Sequence, residues 1–384
     1  MAQRYLYIEI DSYQAVKTNH SPCGDSFCHF RDSDSTYIII ADGIGSGIKA
    51  NIAANMCLAR IRELIENGIS FRMAFESVAT TMQNWRSPDM PFAAFTAVKI
   101  LNDGQTTIYN YDAPEAICIN QNTAVVLPHK NFIKDEFLAK ESSCFLVPGD
   151  AILIYSDGLT QSGIGIKDKK QFQPNLIADY INFKTVPLKT EHSISEQIAQ
   201  RAIENSNGII QDDLTVVCGI CRYGKELNIL TGAPINIRND KTIIDEFFAS
   251  SGDKVICGAT TAKIAAKHTG NKLKVDTENT SLITPPKYFL KGTKLVTEGT
   301  ITLNHLNNIL ELDQVIFDEQ NPVRELYELI INADRIKIWA GLKTNQANEH
   351  ISFYQQGILS RVKIIPLIIQ KLQAKGKAII MREI

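Results

Sequence analysis

The sequence predicts an α+β protein built from two domains, and three observations support this. Short apolar runs typical of buried strands occur at both ends of the first half of the 384-residue chain. Two consecutive helical patterns lie between them, instead of one helix after each strand. The chain is also longer than a single hydrophobic core usually spans. We therefore expect two packed sheets with helices outside them in residues 1–224, followed by a smaller α/β domain in residues 225–384.

Individual elements of the first domain follow from residue periodicity. Apolar residues recur at helical spacing after residue 46 and stop at Gly68, which ends a predicted helix. Short segments rich in β-branched residues, separated by turn residues, predict an antiparallel meander after the second helix. The predicted helices are 46–68, 71–85 and 193–205, the first with Ile52, Met56, Leu58, Ile61 and Ile65 on its apolar positions, and the predicted strands are 4–10, 36–41, 92–101, 105–112, 115–120, 123–127, 151–156 and 215–220.

The composition is that of an ordinary folded protein. Hydrophobic residues make up 44% of the chain, charged residues 21%, and the formal net charge is −2. This balance argues against disorder, against nucleic acid as a partner and against electrostatic membrane attachment. The N-terminus has no long apolar segment, and no apolar run approaches the roughly 18 residues that a membrane span needs. A cytoplasmic protein without membrane or nucleic-acid partners is expected.

Cysteine usage fits a reducing compartment, because most of the eight cysteines lie inside apolar segments. One pair, Cys218 and Cys221, has the C-x-x-C spacing of a zinc site. The pair lies in a predicted strand, however, where residues three apart point to opposite faces. Two buried thiols are therefore expected in place of a zinc site.

Three distant segments each place an aspartate at the end or start of an apolar run. They are YIIIADGIGSG around Asp42, AILIYSDGL around Asp157 and GIIQDDLTVV around Asp212. An isolated Asp-Gly pair is most often a turn after a strand. Two copies of the pattern, with an Asp-Asp pair before a third apolar run, favour a carboxylate metal site, because carboxylates are hard oxygen ligands for Mn²⁺ or Mg²⁺.

Five short motifs in a fixed order carry a resemblance to a known family. They are G-D-S-F at 24–27, A-D-G-I-G-S-G at 41–47, F-T-A-V at 95–98, S-D-G-L at 156–159 and D-D-L-T-V-V at 212–217. Together they resemble the metal-dependent serine/threonine protein phosphatases of the PPM type, and among these the bacterial SpoIIE-like branch. The resemblance covers about residues 1–222.

The resemblance implies a central β-sandwich flanked by helices, with two Mn²⁺ or Mg²⁺ ions at one end. Asp42 matches the ligand that bridges the ions, and Gly43 the position that offers its backbone carbonyl. Asp157 and Asp212 match the remaining ligands of one ion, and Asp25 an acidic position that supports the site. The residues expected to carry catalysis are thus Asp42, Asp157 and Asp212, while Asp213, Thr215 and Thr96 are expected to position their neighbours.

The implied reaction is hydrolysis of phosphoserine or phosphothreonine on a bacterial regulatory protein, such as an anti-anti-sigma-type regulator. Eukaryotic relatives carry a histidine where this chain has Ile44, so a weakly active scaffold is an alternative. Lys17 and Lys49 are candidates for binding phosphate. The helix after Gly47 resembles a movable switch of the SpoIIE-like branch.

The second domain has no recognised catalytic motif, and it is expected to bind a ligand or to dock a partner. Residues 227–234 are predicted as a linker. The segment Gly258–Thr261 is predicted as a strand-to-helix turn capped by threonine, although its amides could bind an anion. The apolar helix 358–372 is predicted to be core, with homodimerisation through it as the alternative.

Overall fold

The computed structural model describes residues 5–45, 47–86, 92–121, 123–134, 136–184, 193–275, 286–312, 321–341 and 358–384. The chain divides into two compact units. One comprises Leu6–Tyr223, and the other comprises Gly224–Ile384 together with the N-terminus up to Tyr5. None of the helices in the described ranges is long and apolar enough to cross a membrane.

The described residues of the first unit form two antiparallel sheets and five helices. The six-stranded sheet has the order β2-β3-β4-β5-β9-β8, and the five-stranded sheet the order β1-β11-β10-β6-β7. The strands are β1 Leu6–Ala15, β2 Asp25–Arg31, β3 Ser35–Gly43, β4 Ala93–Leu101, β5 Gln105–Tyr111, β6 Ile117–Asn120, β7 Thr123–Val126, β8 Lys130–Lys134, β9 Phe137–Phe145, β10 Ala151–Tyr155 and β11 Leu214–Tyr223. The helices are α1 Ile48–Glu66, α2 Phe71–Asn84, α3 Asp157–Thr160, α4 Pro174–Lys184 and α5 Ile194–Asn205.

Three buried clusters layer this unit. Aliphatic side chains such as Ile38 and Ile152 fill the space between the sheets. A second cluster, with several aromatic rings, lies between the six-stranded sheet and α1 and α2. A third lies between the five-stranded sheet and α4 and α5. Side chains on both faces of each sheet are thus buried, and the predicted α+β sandwich with helices outside is confirmed.

Strand β11 shows this layering directly. Cys218 belongs to the cluster under the helices, whereas Cys221 belongs to the cluster between the sheets. The two thiols therefore point to opposite faces, as the strand period predicts. All eight cysteines are free.

Two predictions about this unit were wrong in part. The expected meander is divided, since β4 and β5 pair in one sheet while β6 and β7 pair in the other. Helix α1 buries Leu58 and Ile61 beside small residues such as Ala50, but it leaves Ile52 46% and Met56 42% exposed. The buried face of α1 therefore combines small residues with Leu58 and Ile61 and does not include Ile52 and Met56.

The second unit is built on one seven-stranded sheet of order β14-β15-β16-β13-β12-β17-β18. Strands β16, β13, β12, β17 and β18 are parallel to one another, while β15 and β14 add an antiparallel edge beside β16. The strands are β12 Glu226–Thr231, β13 Asp253–Cys257, β14 Lys274–Val275, β15 Lys287–Phe289, β16 Leu295–Thr297, β17 Arg335–Ala340 and β18 Ala378–Glu383. The helices are α6 Asp240–Ala249, α7 Ala259–Thr269, α8 Thr300–Ile309, α9 Pro322–Asn332 and α10 Arg361–Ala374.

The prediction of a linker at residues 227–234 was wrong. Every residue of β12 is buried, and this strand lies between β13 and β17. Three of the four residues in LNIL are apolar, as is typical of a parallel strand that is covered on both faces. The predicted threonine cap was also wrong, since the residue before α7 is Gly258. Helix α10 is core, as expected, through residues such as Ile364 and Ile368.

Candidate functional site

Four aspartates from both sheets of the first unit converge at one end of the sandwich. Asp25 is the first residue of β2, and it faces Asp42 of β3 in the antiparallel register. Asp157 begins α3 directly after β10, and Asp212 lies two residues before β11, the neighbour of β10. The six-stranded sheet therefore contributes one pair of carboxylates, and the five-stranded sheet contributes the other.

Burial and neighbouring carboxylate charges raise the pKa values of Asp42 and Asp157, as expected for acidic groups that lie close together. Burial, followed by the charges of Asp25 and Asp157, raises the pKa of Asp42 to about 10, and a hydrogen bond with the Asp157 carboxyl acts in the same direction. Burial also raises the pKa of Asp157, and the charge of Asp212 adds to this effect. Such a cluster favours protons or metal cations as neutralising partners.

Asp25 is the most deeply buried of the four and is 2% exposed. Burial raises its pKa to about 7 although the nearby hydroxyls of Ser156 and Thr215 lower it. Neither of its carboxylate oxygens has a partner with full hydrogen-bond geometry. A buried carboxylate without a partner is costly unless a cation or a proton neutralises it. This orphaned group, in an all-oxygen donor set, fits a hard divalent ion.

The carboxylate oxygens suit a divalent ion chemically, but the described side chains do not by themselves complete its coordination sphere. Among the residues that the structure describes, no three side chains of Asp, Glu, His or Cys are arranged to hold an ion by themselves. A cavity of about 10 Å³ lies between Asp42, Thr96, Ser156 and Asp157. That volume is close to the space of one water molecule.

Asp213 makes contacts quite different from those of its neighbour Asp212. Its two carboxylate oxygens accept hydrogen bonds from the backbone amides of Lys17 at 2.8 Å and Gly24 at 2.6 Å. It thereby fastens the connection between β1 and β2 to the start of β11. Asp212 is instead partly exposed, and its Oδ1 accepts a hydrogen bond from the Asp213 amide at 3.0 Å and lies 3.6 Å from Lys17 Nζ.

Hydrogen bonds of hydroxyl and amide groups join neighbouring strands in both sheets beside the aspartates. The Ser156 hydroxyl accepts from the Thr215 amide at 2.9 Å, and the Thr215 hydroxyl accepts from Gln14 Nε2 at 3.0 Å. In the six-stranded sheet, Asn110 Nδ2 donates to the Thr96 hydroxyl at 2.7 Å. Thr215 and Thr96 thus each accept a side-chain hydrogen bond from a residue of the neighbouring strand.

Sequence analysis missed Gln161, whose Nε2 donates to Asp157 Oδ2 at 2.5 Å. The contact depends on the helical turn after the aspartate, because residues four apart lie on one face of a helix. A polar residue four positions after Asp157 was the available signal. The amide fixes one carboxylate oxygen of a side chain that also shares a hydrogen bond with Asp42.

The two Asp-Gly pairs serve close packing and are not turns of positive φ. A β-carbon added at Gly43 would lie 1.9 Å from the carbonyl oxygen of Ala50 in α1. A β-carbon at Gly158 would lie 2.1 Å from the carbonyl oxygen of Asp213. Neither glycine has a positive φ. Glycine is therefore needed so that α1 and β11 can approach the two aspartates.

Two lysines, an isoleucine and a cysteine lie in the segments around the aspartates. Lys17 lies beside Asp212, and its charge lowers the pKa of Asp157, although less than burial raises it. Lys49 is exposed on the first turn of α1. Ile44 is 46% exposed directly after the Asp-Gly pair. Cys23 keeps its proton, because burial and then Asp25 raise the pKa of its thiol to about 12.

One family model matches just under half of the chain. The model of the family Stage II sporulation protein E (SpoIIE) matches residues 32–219, which include Asp42, Asp157 and Asp212. Among curated proteins, Stage II sporulation protein E of Priestia megaterium is 20% identical over 208 residues, which are 53% of this chain and 34% of that protein. The protein of the same name from Bacillus subtilis is 19% identical over 207 residues, 53% of this chain and 24% of that protein. The chain therefore spans about a third or less of these relatives.

Among solved structures, one similar chain is the PP2C phosphatase domain with a fragment of the regulatory domain of SpoIIE from Bacillus subtilis. It is 19% identical, with a TM-score of 0.48, and the alignment covers 57% of this chain and 63% of that chain. The similarity to the SpoIIE family rests on the sequence match and not on this structural similarity.

Proposed function

We propose, from the match of the SpoIIE family model to residues 32–219, that this chain is a metal-dependent phosphatase acting on phosphoserine or phosphothreonine of a partner protein. The observation that carries this proposal is the convergence of Asp25, Asp42, Asp157 and Asp212 from two sheets onto one end of the sandwich. The raised pKa values of Asp42 and Asp157 support a site built to hold positive charge.

In this proposal Asp42, Asp157, Asp212 and the Gly43 carbonyl hold two Mn²⁺ or Mg²⁺ ions, and Asp25 supports them from beneath. Bound there, the ions supply an acidified water as nucleophile and neutralise the oxygens of the phosphoryl group. Gln161 keeps the Asp157 carboxylate oriented, and Asp213 keeps the β1–β2 connection in place. Lys17 is placed to attract the phosphate dianion to the site, since its ammonium lies at the edge near Asp212.

The test is hydrolysis of para-nitrophenyl phosphate by the full chain, with Mn²⁺, with Mg²⁺ and with a chelator. We expect turnover to require the metal. Asp42→Asn, Asp157→Asn and Asp212→Asn should each lower the rate by orders of magnitude and weaken Mn²⁺ binding in calorimetry, since each removes a charge that holds the ions. Asp179→Asn is the matched control, because Asp179 is an exposed carboxylate on α4.

Two results would contradict this proposal. Asp42→Asn with full activity would remove the metal-site assignment. A wild-type protein that binds Mn²⁺ but hydrolyses neither the aryl phosphate nor any phosphoserine peptide would favour the alternative of a scaffold that retains the fold. Far-ultraviolet circular dichroism of each variant separates these outcomes from loss of folding.

The partner in this proposal is a phosphorylated regulatory protein in the cytoplasm, such as an anti-anti-sigma-type regulator. Exposed apolar side chains on α1, on α2 and just before α1 support a protein substrate. Ile44, Ile48, Ile52, Met56 and Met73 are all more than 40% exposed. A protein that docks on α1 and α2 would cover them, and exposed apolar groups of this kind commonly mark interaction surfaces. The second unit would then add a ligand-binding or docking role.

A further inference from the structure

The second unit contains a cavity of about 400 Å³, within the range of small-ligand sites. It lies at the carboxyl ends of the parallel strands. The chain runs from β12 outward to β13 and β16, and it then returns to the other side of β12 with β17. The connections that follow β12 and β17 therefore diverge, and ligands of open α/β sheets bind at such a divergence.

Two helices begin at this cavity, and their first residues lie close together. The residue before α7 is Gly258 and the residue before α8 is Gly299, and neither helix start is capped by a side chain. A β-carbon added at Gly299 would lie 3.3 Å from the Gly258 α-carbon. Gly258 has a φ of 137°, which favours glycine. First-turn amides have no partner within their own helix, so two positive helix ends face one space.

Arg361, at the start of α10, adds a fixed positive charge to the cavity wall. Its Nη1 donates to the carbonyl oxygen of Gly341, just beyond β17, at 2.9 Å. A β-carbon on Gly232, just beyond β12, would lie 1.8 Å from the same nitrogen. The guanidinium is thus held between the ends of the two diverging strands. Its Nε is buried and has no hydrogen-bond partner.

Two acidic residues also line the cavity, namely Asp240 and Glu298. Asp240 begins α6 and is 7% exposed, and its Oδ1 is buried without a hydrogen-bond partner. A bare anion would be repelled by these carboxylates. A ligand that carries both a phosphate and hydroxyl groups matches both signs, because the hydroxyls can donate to Asp240 and Glu298.

We propose that this cavity binds a small phosphate monoester bearing hydroxyl groups, a sugar phosphate or a nucleotide. The phosphate lies at the starts of α7 and α8 beside Arg361, and a hydroxyl group donates to Asp240. This site is separate from the aspartates of the first unit, so it stands whether or not the chain is a phosphatase.

Binding is tested by calorimetry on the full chain in chelator, so that hydrolysis at the aspartate site does not interfere. The probes are ribose 5-phosphate, adenosine 5′-monophosphate, inorganic phosphate and unphosphorylated ribose. We expect at least one of the two esters to bind more tightly than phosphate, and ribose not to bind. Tighter binding of ribose 5-phosphate would indicate a sugar-phosphate site, and tighter binding of adenosine 5′-monophosphate would indicate a nucleotide site.

Three variants locate the site. Arg361→Gln should weaken ester binding by about tenfold or more, the effect of losing a charged hydrogen bond. Thr260→Asp places a carboxylate on the first turn of α7, where acidic residues favour helices, so it should abolish binding without harming the fold. Asp240→Asn should lower the ester's affinity relative to that of inorganic phosphate. Lys363→Gln is the matched control, because Lys363 is exposed on α10 outside the cavity lining.

The proposal is overturned if calorimetry detects no binding of either ester to the wild-type protein at ester concentrations of about 10 mM, which corresponds to the weakest affinity the experiment resolves. It is equally overturned if folded Thr260→Asp binds the ester as tightly as the wild type, or if Lys363→Gln weakens binding as much as Arg361→Gln does.

Discussion

Adjacent aspartates in this chain have separate tasks. Asp212 is partly exposed beside Lys17, while Asp213 is 4% exposed and accepts two backbone hydrogen bonds. The motif D-D alone shows two carboxylates. The strand register decides which one faces the site and which one supports it, because neighbouring residues at a strand end point in opposite directions.

Substitution at Asp213 should therefore differ from substitution at Asp212. Asp213→Asn presents an amide to one of two backbone donors, and we expect it to lower the free energy of unfolding by about 1–3 kcal/mol. Mn²⁺ affinity should fall by roughly 10–100-fold, as for residues that position ligands. Asp212→Asn should leave the free energy of unfolding in chelator nearly unchanged, yet weaken Mn²⁺ binding more. Urea titration in chelator and calorimetry measure the two quantities, and equal losses of stability in both variants would contradict this division.

At the scale of elements, Glu226 joins the two central parallel strands of the second unit. It lies opposite Arg335 in the register of β12 and β17. Its Oε2 is 3.0 Å from an Arg335 nitrogen and 3.1 Å from Lys337 Nζ, and Ser251 donates to Oε1 at 2.9 Å. Burial alone would raise the pKa of Glu226, but these partners outweigh burial and lower it below 4.5.

A lowered pKa in the folded state fixes the direction of the pH effect. The stabilising contribution of Glu226 is present above the unfolded-state pKa near 4.5, and it is lost as pH falls through the lower folded-state value. We expect Glu226→Gln to destabilise the second unit by about 1–3 kcal/mol at neutral pH and by progressively less in acid.

The fluorescence of Trp339, a buried residue of β17, reports on the second unit in a Trp85→Phe background, since the chain has two tryptophans. Glu383→Gln is the control, because Glu383 is exposed on β18. A difference between Glu226→Gln and the reference protein that stays constant from pH 7 to pH 3 would show that the ion pairs contribute nothing.

Sequence patterns predicted long periodic elements and missed those that depend on tertiary context. Helices α2 and α5 and strands β10 and β11 lie where periodicity placed them. Strand β12 was mistaken for a linker, since a buried parallel strand followed by Gly-Ala-Pro lacks alternation. The aspartates of the site were predicted from motifs, but Gln161 was not, because its role depends on the turn that α3 forms after Asp157.

At the scale of the whole molecule, each unit has its own hydrophobic cores. Three clusters belong entirely to residues 6–223, and two belong to residues 224–384. The four aspartates lie in the first unit and the 400 Å³ cavity in the second. Domains with independent cores can in principle fold alone.

A protein truncated to residues 1–224 should therefore fold, bind Mn²⁺ and hydrolyse a small aryl phosphate at a rate within a few-fold of the full chain. Its rate on a phosphoprotein, or the response of that rate to a ligand, should change. Circular dichroism and calorimetry establish folding and metal binding before turnover is compared. A truncated protein that folds and binds Mn²⁺ but has no turnover would show that the second unit contributes to the active site.

The division of the carboxylates between two sheets has a mechanical consequence. Asp25 and Asp42 move with β2 and β3, while Asp157 and Asp212 move with β10 and β11. A divalent ion with ligands from both pairs would cross-link the two sheets and oppose the sliding of one sheet over the other. Ligands that bind only the native state add RT ln(1 + [L]/Kd) to stability, about 2.7 kcal/mol at a hundredfold excess over Kd. Cation supply would then govern how firmly the sandwich is closed, as well as how fast it turns over substrate.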